Sequence, residues 1–68
     1  MKPTITTARV ACEAIGARQV VVVAFDNLGR FAVVSYGATK EECRRVAATC
    51  DQIADALTRG EIDSPEVD

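Results

Sequence analysis

Residues 19–36 read QVVVVAF, then DNLGR, then FAVVSY, and these three segments decide the fold. The first and third are rich in valine and aromatic side chains, which fit a pleated strand better than a helical turn. The middle segment suits a type I turn, because Asp26 can accept hydrogen bonds from nearby backbone and Gly29 tolerates a left-handed conformation. A connection this short cannot cross over between parallel strands. The stretch therefore predicts an antiparallel β-hairpin.

The predicted hairpin is apolar on both faces. Side chains alternate between the faces along each strand, and valine or aromatic residues occur on both. A hairpin with one hydrated face would alternate apolar and polar residues instead. We therefore expect strand residues to take part in self-association. These residues are Val21, Val23, Phe31, Val33 and Tyr36.

A helical pattern precedes the hairpin. Threonines at the start offer N-caps, so we expect a helix from residue 4 or 6 to Gly16, where a left-handed C-cap costs little. Its apolar residues recur at three- and four-residue spacing, which predicts a buried stripe. The stripe consists of Ile5, Ala8, Cys12 and Ile15.

A longer helical pattern follows the hairpin. Thr39 and Glu42 have the spacing of a capping box, and the helix should run from Lys40 to about Arg59 and end at Gly60. Apolar residues at three- and four-residue spacing again predict one buried stripe. They are Cys43, Val46, Ala47, Cys50, Ile53, Ala54 and Leu57.

The predicted fold class is α+β, in the order helix–β-hairpin–helix (αββα), with two helices packed on a two-stranded antiparallel sheet. Residues 1–60 would form a single domain. Residues 61–68 contain four acids and no basic residue, so we expect a mobile acidic tail, with Ile62 folding back on the helix end.

Self-association follows from how little of the hairpin two helices can cover. If both helices pack on one face, the other face stays bare, and apolar edge strands invite pairing. A homodimer would complete the fold, either by pairing hairpins edge to edge or by stacking the bare faces. The alternative is a monomer whose helices lie on opposite faces.

Composition limits the classes of function. The 68 residues are 49% hydrophobic and 26% charged, as in a folded globule. A net charge of −2 gives no electrostatic case for binding nucleic acid or an anionic membrane. No apolar run approaches the roughly 20 residues of a membrane span. Three cysteines without Cys-x-x-Cys spacing, and no signal peptide, predict reduced thiols in a cytoplasmic protein.

The chain contains no histidine, which excludes histidine bases, Ser-His-Asp triads and histidine metal ligands within one chain. A zinc site would need cysteines and carboxylates, but Cys12, Cys43 and Cys50 all lie on stripes that should face the core. We therefore expect no metal, no cofactor and no enzymatic activity.

Two groups of exposed polar residues are candidates for binding a ligand or a partner. Lys40 could assist a phosphate at the second helix's N-terminus, and Arg44 and Arg45 of two copies could meet across a dimer axis. The Thr39 cap and the two acids after Lys40 favour capping alone, because they occupy the terminus and repel an anion. Turn chemistry likewise explains the polar residues at the hairpin tip. The full set is Lys40, Arg44, Arg45, Asp26, Asn27 and Arg30.

Several short motifs across residues 7–59 carry a resemblance to a known group of proteins. They are Thr7-Ala8-Arg9, residues 16–23, Phe25-Asp26, residues 33–37, Thr39 and Cys43. In these the chain resembles small accessory proteins of tailed bacteriophages and prophages. The resemblance supplies no catalytic motif. It implies a setting in which small, acidic, histidine-poor proteins bind and disable a host factor, for example as inhibitors of CRISPR or another bacterial defence system.

The function expected from the sequence is that of a non-enzymatic, phage-type accessory protein. It would act as a homodimer in the host bacterial cytoplasm and inhibit a host protein by binding it. The alternative is a homo-oligomeric module that sequesters a small ligand, such as a nucleotide-like anion, through Lys40, Arg44 or Arg45. A third possibility is a small enzyme that uses carboxylates and arginine at a dimer interface.

Overall fold

The structure, a computed structural model, describes residues 2–66. It contains helix α1 (Ile5–Ile15), strands β1 (Gln19–Phe25) and β2 (Phe31–Gly37), and helix α2 (Lys40–Thr58). The two strands pair antiparallel in continuous register from Gln19 opposite Gly37 to Phe25 opposite Phe31. This order of helix, hairpin and helix confirms the predicted α+β fold class.

The hairpin turn forms as its sequence predicts. Asp26 Oδ1 accepts hydrogen bonds from the backbone N–H groups of Leu28 and Arg30, each at 2.9 Å. Gly29 has a φ of 80°, in the left-handed region that glycine enters without steric cost. The turn therefore sets the strand register from within its own five residues.

Helix α1 has caps at both ends. Thr4 Oγ1 accepts from the Thr7 N–H, and Thr7 Oγ1 accepts from the Thr4 N–H, both at 3.3 Å, so two otherwise unpaired donors are satisfied. Gly16 closes the helix with a φ of 69°. The predicted helix is confirmed, with Thr4 rather than Thr6 as its cap.

Helix α2 begins and ends close to its predicted limits. Thr39 Oγ1 accepts from the Glu42 N–H at 3.1 Å, which is half of the predicted capping box. The other half is not formed within residues 2–66: the Glu42 side chain turns to Arg18, whose Nε donates to Glu42 Oε1 at 2.9 Å. After the helix, the Glu61 and Ile62 N–H groups donate to the Ala56 carbonyl, which folds Ile62 back as predicted.

The two helices lie on opposite faces of the hairpin. Each contacts both strands, yet within residues 2–66 no Cα of α1 lies within 8 Å of a Cα of α2. From residue 20 to 25 and from residue 31 to 36, the strand side chains are half-buried on both faces. A Cβ on Gly37 would meet the backbone of Cys43, so α2 covers the face that includes Val23 and Val33. Neither face is bare, and the helices lie as in the alternative arrangement, with one helix on each face. Within residues 2–66, no third strand pairs with either outer edge of the hairpin.

The buried apolar side chains are small. They are Ala8, Cys12, Val46 and Cys50, the midlines of the two predicted stripes. The ends of the α1 stripe are a correction, because Ile5 and Ile15 are 68% and 72% exposed. Ile5 and Ile15 are the first and last residues of α1, whereas the side chains buried against the sheet come from the middle of the helix.

The C-terminal segment 61–66 is exposed and contains no helix or strand, and the rest of the predicted acidic tail lies outside the described residues. Among residues 2–66, neither helix has the length and apolar character needed to cross a bilayer.

Candidate functional site

A shallow cleft lies at the open end of the hairpin, where β2 passes into α2. Its volume is about 540 Å³, within the range of ligand pockets. It is lined by Gly37, Ala38, Thr39, Lys40, Cys43 and Arg44. Two of the residues predicted to bind a ligand or partner, Lys40 and Arg44, therefore lie in one concave surface.

Helical spacing and a close backbone approach position these two cations. Lys40 and Arg44 are four residues apart on α2, so their side chains leave the same side of the helix. The first turn of α2 lies against the end of β2 because Gly37 has no side chain there. The half-buried Cys43 faces inward at this contact and forms part of the cleft wall.

The charges around the cleft differ from the sequence-based expectation. Glu41 accepts a hydrogen bond from Arg45 at 2.7 Å, and Glu42 accepts from Arg18. The acids expected to repel an anion therefore each have a cationic partner. Within residues 2–66, Lys40 and Arg44 form no ion pair, so the cleft has an excess of positive charge.

Glu42 is the most buried carboxylate at this end of the molecule. Its Oε1 binds Arg18, while among the described residues its Oε2 is buried and has no hydrogen-bond partner. The Arg18 interaction links the start of the hairpin to α2 across 24 residues of sequence. No local pattern in the sequence indicates this pairing.

The predicted tip residues lie at the opposite end of the hairpin. Arg30 Nε donates to Asp26 Oδ2 at 2.7 Å. Hydrogen bonds from the Arg30 backbone, from the Arg30 side chain and from the Leu28 backbone lower the pKa of Asp26. Asn27 is exposed, and Leu28 is 70% exposed. Asp26 and Arg30 thus hold the turn, and the predicted binding residues form two groups separated by a strand about 23 Å long.

The hydrogen-bond register shows which backbone groups point outward from the edges of the hairpin. The Ala38 N–H donates to the Arg18 carbonyl, and the Asp26 N–H donates to the Arg30 carbonyl. These two hydrogen-bonded pairs lie at the two ends of the hairpin, and between them hydrogen-bonded and non-hydrogen-bonded pairs alternate along the strands. Backbone groups of even-numbered residues point into the hairpin, and those of odd-numbered residues point outward. The outward set is Gln19, Val21, Val23 and Phe25 on β1, and Phe31, Val33, Ser35 and Gly37 on β2.

Four of the five residues predicted for self-association belong to this outward set. Their side chains lie on the face that α2 covers and are half-buried, so this face is not bare, as a dimer by face stacking would require. Tyr36 differs from the others, because its backbone pairs with Val20 inside the hairpin. The remaining four residues are Val21, Val23, Phe31 and Val33.

One outward position is satisfied within the chain. The Gly37 N–H donates to Cys43 Sγ at 3.2 Å, and Cys43 Sγ donates to the Gly37 carbonyl at 3.0 Å. For the other outward backbone groups, no hydrogen bond is formed inside residues 2–66. Sequence reasoning assigned Cys43 to the core and missed this contact, because its partner lies in a strand end rather than in a motif.

The three cysteines are free thiols, and Cys12 and Cys50 are buried as predicted. In the part of the chain that the structure describes, no three His, Cys, Asp or Glu side chains group closely enough to hold a metal ion. No protein-family model, curated protein or solved structure matches this chain.

Proposed function

We propose that the protein is a non-enzymatic accessory protein that works as a homodimer and inhibits a host protein by binding it. The observation that carries the proposal is the open edge of β1. Natural monomers protect such edges with charged residues, proline or a bulge. Strand β1 reads QVVVVAF, has none of these, and pairs with β2 without interruption. This edge is suited to pairing with another protein strand.

The identity of the partner is proposed from the sequence. The motifs that resemble phage and prophage accessory proteins suggest a bacterial host, and a component of CRISPR or another defence system is the class of partner that we propose. The absence of histidine in the whole chain supports binding rather than catalysis.

The surface proposed for the host protein is the N-terminal part of α2. Lys40 and Arg44 are exposed and without an ion pair among the described residues, and Arg45 lies beside them. Positive groups that are not neutralised within the chain favour an acidic partner surface and speed its association. We therefore expect the host protein to present a cluster of Asp and Glu to this surface.

The test is affinity capture from bacterial lysate with matched charge reversals. The variant Lys40→Glu/Arg44→Glu should lose the partner that the wild-type chain captures. The control Lys2→Glu/Arg9→Glu changes the net charge equally at two exposed residues outside the cleft, and should retain that partner. The proposal would be contradicted if the wild-type chain captured no partner, or if the two variants captured the partner equally well.

The cleft favours a second candidate, a module that sequesters a small anion. Lys40 and Arg44 lie beside the N-terminus of α2, where backbone N–H groups attract negative charge. Because Glu41 and Glu42 each bind an arginine, they repel an anion less than the sequence alone suggests.

A thermal-shift assay with inorganic phosphate and a panel of nucleotides tests this second candidate. A ligand at 100 times its Kd would stabilise the fold by about 2.7 kcal/mol. The shift should disappear in Lys40→Ala/Arg44→Ala and persist in Arg45→Ala, since Arg45 points to Glu41 instead of the cleft. A panel in which no anion changes Tm would exclude the candidate.

A further inference from the structure

We infer that β1 is the dimer edge, and that two copies pair antiparallel through β1 into one four-stranded sheet. This inference rests on the homodimer in the proposed function and assigns its geometry. Only β1 with β1, or β2 with β2, gives a closed dimer, because pairing β1 of one copy with β2 of the next leaves free edges that propagate. The choice therefore lies between two symmetric arrangements.

The β2 edge is the less available of the two. Both helices pack mainly on β2. The outward N–H and C=O of Gly37 are occupied by the Cys43 thiol, which removes the hydrogen-bonded pair at each end of a fully overlapped β2 dimer. On β1, all outward groups from Gln19 to Phe25 are without a partner in the described chain.

The register of a β1 dimer follows from full overlap of the seven-residue strand. A two-fold axis at Val22 places Gln19 opposite Phe25 of the second copy and Val21 opposite Val23. These are all outward-facing residues, so the strands can exchange hydrogen bonds along their whole length. Val22 then lies opposite Val22 of the second copy, in a pair without hydrogen bonds, where the two side chains are closest.

Charge complementarity identifies a second copy as the partner of this edge. In the same register, the residues flanking the strand come opposite each other, with Arg18 of one copy facing Asp26 of the other at both ends. Opposite charges at paired positions favour association, and the register places no like charges together. Arg18 already pairs with Glu42 and Asp26 with Arg30 inside each copy. At each end of the dimer interface, these four side chains would therefore alternate in charge, in the order Glu42, Arg18, Asp26, Arg30. A β2 dimer would place Arg30 opposite Ala38 and would have no such pair.

Proline substitutions at one cross-strand pair separate the two edges. Val23 and Val33 lie opposite each other, and both direct their N–H outward, where proline is tolerated in an edge strand. Light scattering after size exclusion should give the wild-type chain twice the 7.3 kDa mass of the monomer. Val23→Pro should halve that mass, Val33→Pro should leave it unchanged, and circular dichroism should show both variants folded.

Other results have distinct meanings. A wild-type chain that stays at 7.3 kDa up to millimolar concentration removes the homodimer from the proposed function and this inference with it. A dimer that Val33→Pro dissociates and Val23→Pro does not leaves the homodimer standing and overturns the β1 edge.

A cross-link tests the register without relying on proline. Val22→Cys places two thiols across the two-fold axis at a Cα separation near 4.5 Å, which suits a disulfide. The control is Val34→Cys, at the residue paired with Val22 in the hairpin. Peptide mapping should find the intermolecular disulfide at position 22 only. A dimer that forms no such disulfide, or that forms it at position 34 instead, overturns the inference.

Discussion

The Cys43 thiol bonds to both backbone polar groups of Gly37, accepting from its N–H at 3.2 Å and donating to its C=O at 3.0 Å. This contact fixes the first turn of α2 against the end of β2 and forms one wall of the cleft. It depends on Gly37 having no side chain, because a Cβ there would fall on the backbone nitrogen of Cys43 and lie 2.9 Å from its Cα. Gly37 thus belongs to the sheet, lines the cleft and has its outward backbone groups occupied at the end of the β2 edge.

Gly37→Ala should lower the free energy of unfolding by about 3 kcal/mol, since the backbone of α2 must move to admit the methyl group. The measurement is urea denaturation followed by circular dichroism. Gly60→Ala is the control: Gly60 has a φ of 73° but open space around it. That variant should lose only about 1 kcal/mol for the left-handed conformation. Equal losses would show that the close approach at Gly37 does not matter.

Val46→Ala should destabilise the fold by about 2 kcal/mol, because Val46 is 5% exposed at the centre of the α2 stripe. Val10→Ala is a matched change in the other helix, where the side chain is 57% exposed and on the side away from Ala8. It should change stability by under about 0.5 kcal/mol. Chemical denaturation of both variants checks the assigned core, and a larger loss for Val10→Ala would contradict it.

Thr39→Ala should cost about 1 kcal/mol, because it removes the hydroxyl that accepts the Glu42 N–H at the start of α2. Thr49→Ala removes the same atoms from an exposed position in the middle of the helix and should cost nothing measurable. Thermal unfolding of the pair separates capping from helix propensity. A Tm for Thr39→Ala equal to that of Thr49→Ala would mean that the cap contributes nothing.

The turn should make stability depend on pH through Asp26. Its folded-state pKa is lowered by hydrogen bonds from Arg30 and Leu28, so the contribution is complete above the unfolded pKa of about 3.9. It is lost as pH falls through the lower folded-state pKa. Asp26→Asn should lower Tm at neutral pH and flatten the acidic part of the curve of Tm against pH. Asp63→Asn, in the exposed C-terminal segment, should retain the wild-type profile, and identical profiles for both variants would contradict this role.

Local sequence patterns predict most of the fold. The turn at Asp26 and Gly29, the caps at Thr4 and Thr39, and the α2 stripe each depend on residues within four or five positions of one another. The structure confirms these elements because the physics that forms them acts over that same range.

The helix placement and the site depended on longer separations. The sequence shows that both faces of the hairpin need cover but not that one helix goes to each face, because α1 and α2 have equally suitable stripes. The Arg18–Glu42 pair and the Gly37–Cys43 contact join different elements, and neither has a local signature. Consequently the exposed ends of the α1 stripe and the neutralised acids beside Lys40 appear only in three dimensions.

Hydrogen exchange of the outward-facing amides tests the completion of the sheet by a second copy most directly. In a β1 dimer, the N–H groups of Val21, Val23 and Phe25 are hydrogen-bonded, whereas those of Phe31 and Val33 remain open to water. Residue-resolved NMR exchange should therefore show slow exchange at the three β1 positions and fast exchange at the two β2 positions. Fast exchange at all five amides, or slow exchange only on β2, would contradict the account.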